Sequence, residues 1–194
     1  MTSDLYAYDA EVRSQQGCIC GVDGPVAVAA VILDPDRPLE GINDSKKLSE
    51  KKREALYDQI ISRALAGKVV LVSPAEIDRM NILGATMYGM AQAIAGLGKP
   101  VDLALIDGNR CPESPTPCRA VVKGDATSAS IAAASILAKV TRDRYMLELD
   151  KQYPQYQLAK HKGYPTKLHY ELLDQYGVAD FYRKNFLKKR GYVK

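Results

Sequence analysis

The chain lacks most of the short signatures that announce a protein's chemistry. No apolar run approaches the length needed to cross a membrane, so no membrane partner is expected. The opening Met-Thr-Ser-Asp-Leu-Tyr has no basic segment followed by an apolar one, and a cytoplasmic location is the expectation. No P-loop and no Gly-x-Gly-x-x-Gly follows any predicted strand, which argues against a nucleotide-binding domain or a small-molecule phosphatase. The four cysteines include no Cys-x2-Cys pair, and the two histidines, His161 and His169, are not grouped with them. Structural zinc sets are thereby disfavoured, and reduced thiols are expected. There are no internal repeats.

What is present suits a globular chain of 194 residues, with 46% hydrophobic and 26% charged residues. We expect one domain, with residues 1–150 as the core and 151–194 as a helical, basic segment packed on it. The net charge is only +4, but the cations are clustered. Lys46, Lys47, Lys51, Lys52 and Arg53 form one block, and Arg183, Lys184, Lys188, Lys189, Arg190 and Lys194 form another. Such blocks are often solvated helix faces, yet two of them on a small domain also suit a polyanionic partner. Nothing calls for an obligate interface, so a monomer is expected.

Residues 18–22 and 26–33 are β-prone runs, and Asp23-Gly24 between them suits a two-residue type I′ turn. Residues 26–33 are apolar at nearly every position, so both faces should be covered. Ser49 caps a helix carrying Leu56, Ile60 and Ala64 and ending at Gly67. A strand over 68–72 follows. Ser73-Pro74-Ala75-Glu76 is a capping box with proline at the first helical position. Leu83, Met87, Met90, Ile94 and Leu97 give a helix over 81–97, stopped by Gly98. Residues 103–106 form a short apolar strand, 119–122 another, and Thr127 or Ser128 opens a long helix to about Asp150. Residues 160–166 read as a loop, and Thr166 caps a helix ending at Gly177. Strands alternating with helices after an opening hairpin indicate an α/β fold with a mixed sheet.

Two aspartates end strands in this reading, Asp23 and Asp107, at the tips where ligands bind in open α/β sheets. A third, Asp143, falls on the apolar stripe Ala132, Ile136, Val140, Asp143, Leu147 of the long helix, while Arg142 and Arg144 point elsewhere. Burying a bare carboxylate costs several kcal/mol unless it is satisfied. Either Asp143 pairs with a base such as Lys139, or it shares a cation with other carboxylates. If the three acids meet, each pair at about 4 Å repels by about 4 kcal/mol at an effective dielectric near 20. A divalent cation relieves that repulsion, and an all-oxygen set favours Mg²⁺ or Mn²⁺. Beside lysine clusters, such a centre suggests phosphoryl chemistry on a nucleic acid.

These residues also carry a resemblance. Gly21-Val22-Asp23, residues 43–49 (Asn-Asp-Ser-Lys-Lys-Leu-Ser), 105–109 (Leu-Ile-Asp-Gly-Asn), 122–125 (Val-Lys-Gly-Asp), 132–143 ending Ala-Lys-Val-Thr-Arg-Asp, and 161–164 (His-Lys-Gly-Tyr) occur in order. Over residues 17–186 the chain resembles ribonuclease HII, the type 2 ribonuclease H family. The resemblance implies a ribonuclease H-like mixed sheet flanked by helices, with a C-terminal helical extension. It implies metal-dependent cutting of RNA paired with DNA, and of single ribonucleotides in duplex DNA, leaving 3′-hydroxyl and 5′-phosphate ends. Asp23, Asp107 and Asp143 would then be metal ligands. Ser45, Lys46, Lys47 and Lys123 would lie against the substrate, Lys46 and Lys47 on its phosphates, and Tyr164 would pack on the sugar at the RNA–DNA junction.

The chain departs from the family at one place of consequence. The first aspartate is ordinarily followed by Glu and a Gly-Arg-Gly segment, whereas Asp23 here is followed directly by Gly24-Pro25-Val26. The fourth carboxylate and the glycine-rich turn that reads the ribose 2′-hydroxyl are absent. A catalytically impaired hybrid-binding protein is therefore the alternative, and loss of that segment should reduce cleavage strongly. A smaller departure is Tyr182-Arg183-Lys184-Asn185-Phe186, where His-Arg-Arg-Ser-Phe is usual.

Overall fold

The described residues form five strands, β1 (Ile19–Asp23), β2 (Ala27–Ile32), β3 (Ala66–Leu71), β4 (Leu103–Asp107) and β5 (Cys118–Val121), hydrogen-bonded in the order β3-β2-β1-β4-β5. β2 runs antiparallel to both β1 and β3, while β4 and β5 extend the sheet in parallel from β1. The mixed sheet anticipated from the sequence is thus present. These features come from a computed structural model that describes residues 4–24 and 26–194.

β2 is buried at every position, because each of its faces meets a helix layer. Ala27, Ala29 and Val31 pack on one side with α2 (Glu50–Arg63) and α4 (Ala129–Gln152). Val28, Ala30 and Ile32 pack on the other with Met90, Ala93 and Ile94 of α3 (Pro74–Ala95). Side chains alternate across a strand, so an unbroken apolar run serves both layers.

α4 lies hard against β1. Its Ala129, Ala132, Ala133 and Ala134 are fully buried, and a Cβ added at Gly21 would stand 2.0 Å from the Ser130 carbonyl carbon. α1 (Asp4–Gln16) is pinned to the start of α4 through Asp9, whose Oδ2 accepts from the Ser130 backbone N–H (2.8 Å) and hydroxyl (2.6 Å). The C-terminal residues build a separate aromatic cluster on the far end of α4. Leu149 meets Tyr156, Leu158, Leu173, Tyr182 and Leu187 there, joining α5 (Leu158–His161), α6 (Lys167–Tyr176) and α7 (Lys184–Lys188) to the core.

Several local expectations need correction. Asp23 is not in a two-residue turn: it stays in β1 and pairs with Ala29, so the chain reverses between them. Gly67 does not stop α2, which ends at Arg63; Gly67 pairs with Val31 inside β3. The two helices read from Ser73 and Asn81 are one kinked element. Asn81 adopts φ 62° and ψ 170°, and its side chain accepts from the backbone N–H groups of Leu83 and Gly84. Leu83, just beyond the bend, is exposed, and the C-cap is Gly96 rather than Gly98. Leu147 is exposed, because α4 outruns the sheet beyond Asp143. Lys160 and His161 belong to α5 rather than a loop. The caps at Ser49, Ser73, Ser128 and Thr166 all accept the backbone hydrogen bonds expected of them.

Candidate active site

β1 and β4 are parallel neighbours, with Val22 beside Ile106, so the next residues, Asp23 and Asp107, reach the same edge of the sheet. Gly24 donates its N–H to Asp23 Oδ1 at 2.6 Å, and the Ser135 hydroxyl of α4 offers Asp23 a further hydrogen bond. Burial, with Asp107 adding to it, pushes the Asp23 carboxyl up to about 7. Asp107 Oδ1 accepts from the Gly124 N–H at 2.7 Å and the Asp125 N–H at 3.4 Å.

The Gly124–Ala126 segment is a 3-10 turn entered through Lys123, which takes the left-handed conformation at φ 53°. It delivers an acid that sequence reading passed over. Asp125 is buried, and burial together with the Asp107 charge raises its carboxyl above the usual carboxylate range. Its charge also acts on Asp23. The sequence cue was the Lys-Gly-Asp triplet, but the left-handed Lys123 that aims it is a tertiary effect.

The expected convergence of Asp23, Asp107 and Asp143 is not what the structure shows. Asp143 is buried on α4 and is held by bases. Its Oδ1 accepts from Lys139 Nζ at 3.0 Å, Arg142 Nη1 stands 3.7 Å from the same oxygen, and Lys162 Nζ lies 3.7 Å from Oδ2. The i,i+4 pair with Lys139 is the one of the two sequence readings that the coordinates carry.

Residues expected at the substrate divide into two groups. Lys46, Lys47, Lys123 and Tyr164 are exposed. Lys46 sits at the edge of the acids, with its Nζ 3.9 Å from Asp125 Oδ2 and its side chain 82% exposed. Ser45 is buried, and its hydroxyl is 2.7 Å from that of Ser135. It buttresses the residue behind Asp23 rather than facing outward. Arg53 fixes this 3-10 turn (Ser45–Lys47) by donating to the Ser45 and Leu48 carbonyls.

Tyr164 projects from a loop built by the two histidines. His161 accepts the Gly163 N–H at Nδ1 (3.1 Å), so its Nε2–H donates to the Tyr156 carbonyl (2.8 Å). The His169 ring stacks on it at 4.2 Å, with Nδ1–H directed at the Tyr164 carbonyl (2.9 Å) and Nε2 accepting from the Tyr182 hydroxyl (3.1 Å). Burial holds His169 below the ordinary imidazole range. At the other end of the loop, Lys139 Nζ donates to the Tyr164 hydroxyl at 2.9 Å, and the Arg142 guanidinium lies 4.8 Å from the ring centre.

Among the described residues, no Lys, Arg or His nitrogen lies within 4.0 Å of the Asp23 or Asp107 carboxylate. Nor do three His, Cys, Asp or Glu side chains already stand as a finished metal-ligand group. The fit to a divalent cation rests instead on the two facing carboxylates with no base of their own, a hard-oxygen set whose mutual repulsion a cation removes.

A sequence profile of the ribonuclease HII family matches residues 16–192. The chain belongs to the ribonuclease HII family. It is 63% identical over 163 residues to the ribonuclease HII of Vibrio campbellii, covering 84% of this chain and 77% of that one. With the ribonuclease HII of Shewanella amazonensis it shares 53% identity over 190 residues, 94% of this chain and 92% of the other. In three dimensions it is similar to the ribonuclease H2 of Pyrococcus horikoshii, with a TM-score of 0.74, 25% identity, and coverage of 90% and 96% of the two chains. It is also similar to the ribonuclease HII of Archaeoglobus fulgidus solved in complex with PCNA (TM-score 0.69, 28% identity, 82% and 88% covered). Ribonucleases HII cleave RNA in RNA–DNA hybrids and ribonucleotides in DNA, and the chain is a ribonuclease H enzyme by that membership.

Among the described residues, no helix is long and apolar enough to cross a membrane. The tight reversal after Asp23 is built on Gly24 at φ 112°, where an added Cβ would stand 2.0 Å from the Ala27 carbonyl oxygen. Pro25 lies outside the described residues. The acids acting on Asp23 are Asp107 and Asp125; both follow it in the chain by more than eighty residues.

Proposed function

We propose that the chain hydrolyses the RNA strand at single ribonucleotides in duplex DNA and in RNA–DNA hybrids, leaving 3′-hydroxyl and 5′-phosphate ends. The observation that carries this is the acidic tip of the sheet, where Asp23 and Asp107 face one another with Asp125 beside them and no base to neutralise the pair. Asp23 and Asp107 would hold Mg²⁺ or Mn²⁺, with Asp125 taking the part that the sequence reading gave to Asp143. A divalent cation bound there supplies positive charge for the oxygens that gain negative charge as the phosphodiester breaks.

The chain's own residues do the rest. Ser135, backed by Ser45, orients the Asp23 carboxylate. Gly124 and Asp125 N–H groups fix the Asp107 rotamer, so both acids are set before substrate arrives. Lys46, Lys47 and Lys123 meet the phosphate backbone, giving salt-dependent affinity without sequence preference. Tyr164, with its phenol tied to Lys139, presents its ring to the sugar at the RNA–DNA junction. The protein works as a cytoplasmic monomer in this reading.

The test is a duplex DNA with one embedded ribonucleotide, end-labelled and incubated with the purified chain in Mg²⁺ or Mn²⁺. Cutting on the 5′ side of the ribonucleotide with a 3′-hydroxyl product supports the proposal. A chain that binds this duplex and leaves it intact with either ion would overturn it and establish the hybrid-binding alternative.

A further inference from the structure

The bases around Tyr164 outnumber the acids available to them. Lys139, Arg142 and Lys162 all share the single buried carboxylate of Asp143, and among the described residues only Lys162 has a second acid, the exposed Glu50 at 3.5 Å. Arg142 donates its Nη2 to the Lys162 carbonyl at 2.8 Å, but its Nη1 is buried with no hydrogen-bond partner. At 3.7 Å the Asp143 oxygen is too far to serve as one.

Arg142 lines a cavity of about 290 Å³ between α4, the start of α3 and the C-terminal cluster. Arg183, at the N-cap of α7, lines the same cavity. Its walls are otherwise mainly apolar, with Leu149, Leu173 and Phe181 among them beside Ser73 and His169, and no carboxylate is among the described lining residues. Among the described residues Arg183 has no carboxylate oxygen within 4.0 Å. The nearest candidate, Asp78, spends its two oxygens on the backbone N–H groups of Lys184 (2.8 Å) and Asn185 (3.0 Å). Burial and the neighbouring Arg142 both hold the Arg183 guanidinium below its ordinary value.

Two guanidiniums thus line one mainly apolar cavity, one sharing the Asp143 carboxylate with two lysines and the other with no carboxylate oxygen within 4.0 Å among the described residues. Both are under-neutralised, and an anion that joins them lowers that cost. We infer that Arg142 and Arg183 form a binding site for one backbone phosphate of the nucleic-acid duplex, at the mouth of this cavity beside Tyr164. Arginine suits that task because its planar donors take phosphate oxygens in pairs. Tyr164 lies against Arg142 and is itself 47% exposed, so a strand that reaches its ring passes the arginine pair within about one nucleotide step. The site rests on the reading above that Tyr164 meets the duplex. It adds a contact to those of the acidic tip and the Lys46 block.

The experiment measures binding of a non-cleavable RNA–DNA junction duplex in Ca²⁺, replacing each phosphate in turn by a neutral methylphosphonate. Wild type is expected to lose about tenfold in affinity at one linkage near the junction. Arg183→Gln should lose about tenfold on the all-phosphate duplex and distinctly less than wild type at that linkage, where Arg142 alone remains. Its dependence of log affinity on log salt should be shallower by about one. Arg183→Lys, which keeps the charge, should recover part of the affinity, and an unchanged melting temperature separates this from misfolding. If Arg183→Gln binds like wild type, or pays the same extra cost at every neutral linkage, the site is wrong although the duplex is bound. Such a result would leave an acidic peptide as the other anion to try. Failure of wild type to bind the duplex at all would overturn both this site and the functional reading beneath it.

Discussion

Two clusters of charge meet α4, one at the sheet tip beside Ser135 and one along the helix at Asp143, and they are opposite in sign. At the sheet tip Asp23, Asp107 and Asp125 are acids short of bases, and burial drives Asp23 and Asp125 toward holding protons. Along α4, Asp143 is one acid oversupplied with bases, Lys139, Arg142 and Lys162. Each cluster is incomplete without something from outside, and what it lacks says what it takes. On the functional reading above, the first would take a cation, and Arg142 of the second, together with Arg183, would take a phosphate. An aspartate on an apolar stripe therefore says little about its job until its neighbours are counted.

The sharpest way to break this contrast is Asp107→Asn. It removes one of the two facing charges, and nicking at a lone ribonucleotide should fall by about a thousandfold while hybrid binding persists. Undiminished turnover would remove the acidic tip from the reaction. Next comes Asp125→Asn, for which we expect about a hundredfold loss, with the metal concentration for half-maximal rate displaced upward. A normal metal titration would return Asp125 to a structural part.

Asp23→Asn separates charge from chemistry. The folded carboxyl is raised to about 7 against about 3.9 in an unfolded chain, so ionised Asp23 destabilises the metal-free fold. The penalty is absent below pH 4, grows as pH rises, and is complete above pH 7. The asparagine variant should then gain up to about 4 kcal/mol at pH 8, fading to nothing near pH 4, by urea unfolding in EDTA. A pH-independent difference would contradict the assigned burial. The smallest effect belongs to Asp143→Asn. Loosening Lys139 from Tyr164 should cost about tenfold in the rate at a single ribonucleotide, with the metal dependence unmoved. A shift in that dependence would put Asp143 back among the metal ligands.

Much of this was legible before any coordinates. The apolar run 103–106 closed by Asp107-Gly108 located the central tip, because a doubly covered strand has no polar positions to spare. Ser49, Ser73 and Ser128 marked helix starts through a local bond that needs no tertiary partner. The rest depended on contacts between distant segments. Asp125 follows a left-handed Lys123, in a turn whose Gly124 N–H is held by the distant Asp107. Helical periodicity placed Asp143 inside, correctly, but periodicity is blind to which charge meets it there. The Asp-Gly pair after β1 resembled a finished hairpin turn, and pairing of Asp23 with Ala29 prevailed over that local preference.

Gly21 sits two residues before Asp23, with the main chain of Ser130 where its side chain would be. A single methyl there touches no charged group, yet it would jack the long helix off the sheet and carry Ser135 away from the carboxylate it steadies. Damage to the chemistry can thus arrive through spacing alone, and a folded but sluggish Gly21→Ala protein would be its signature.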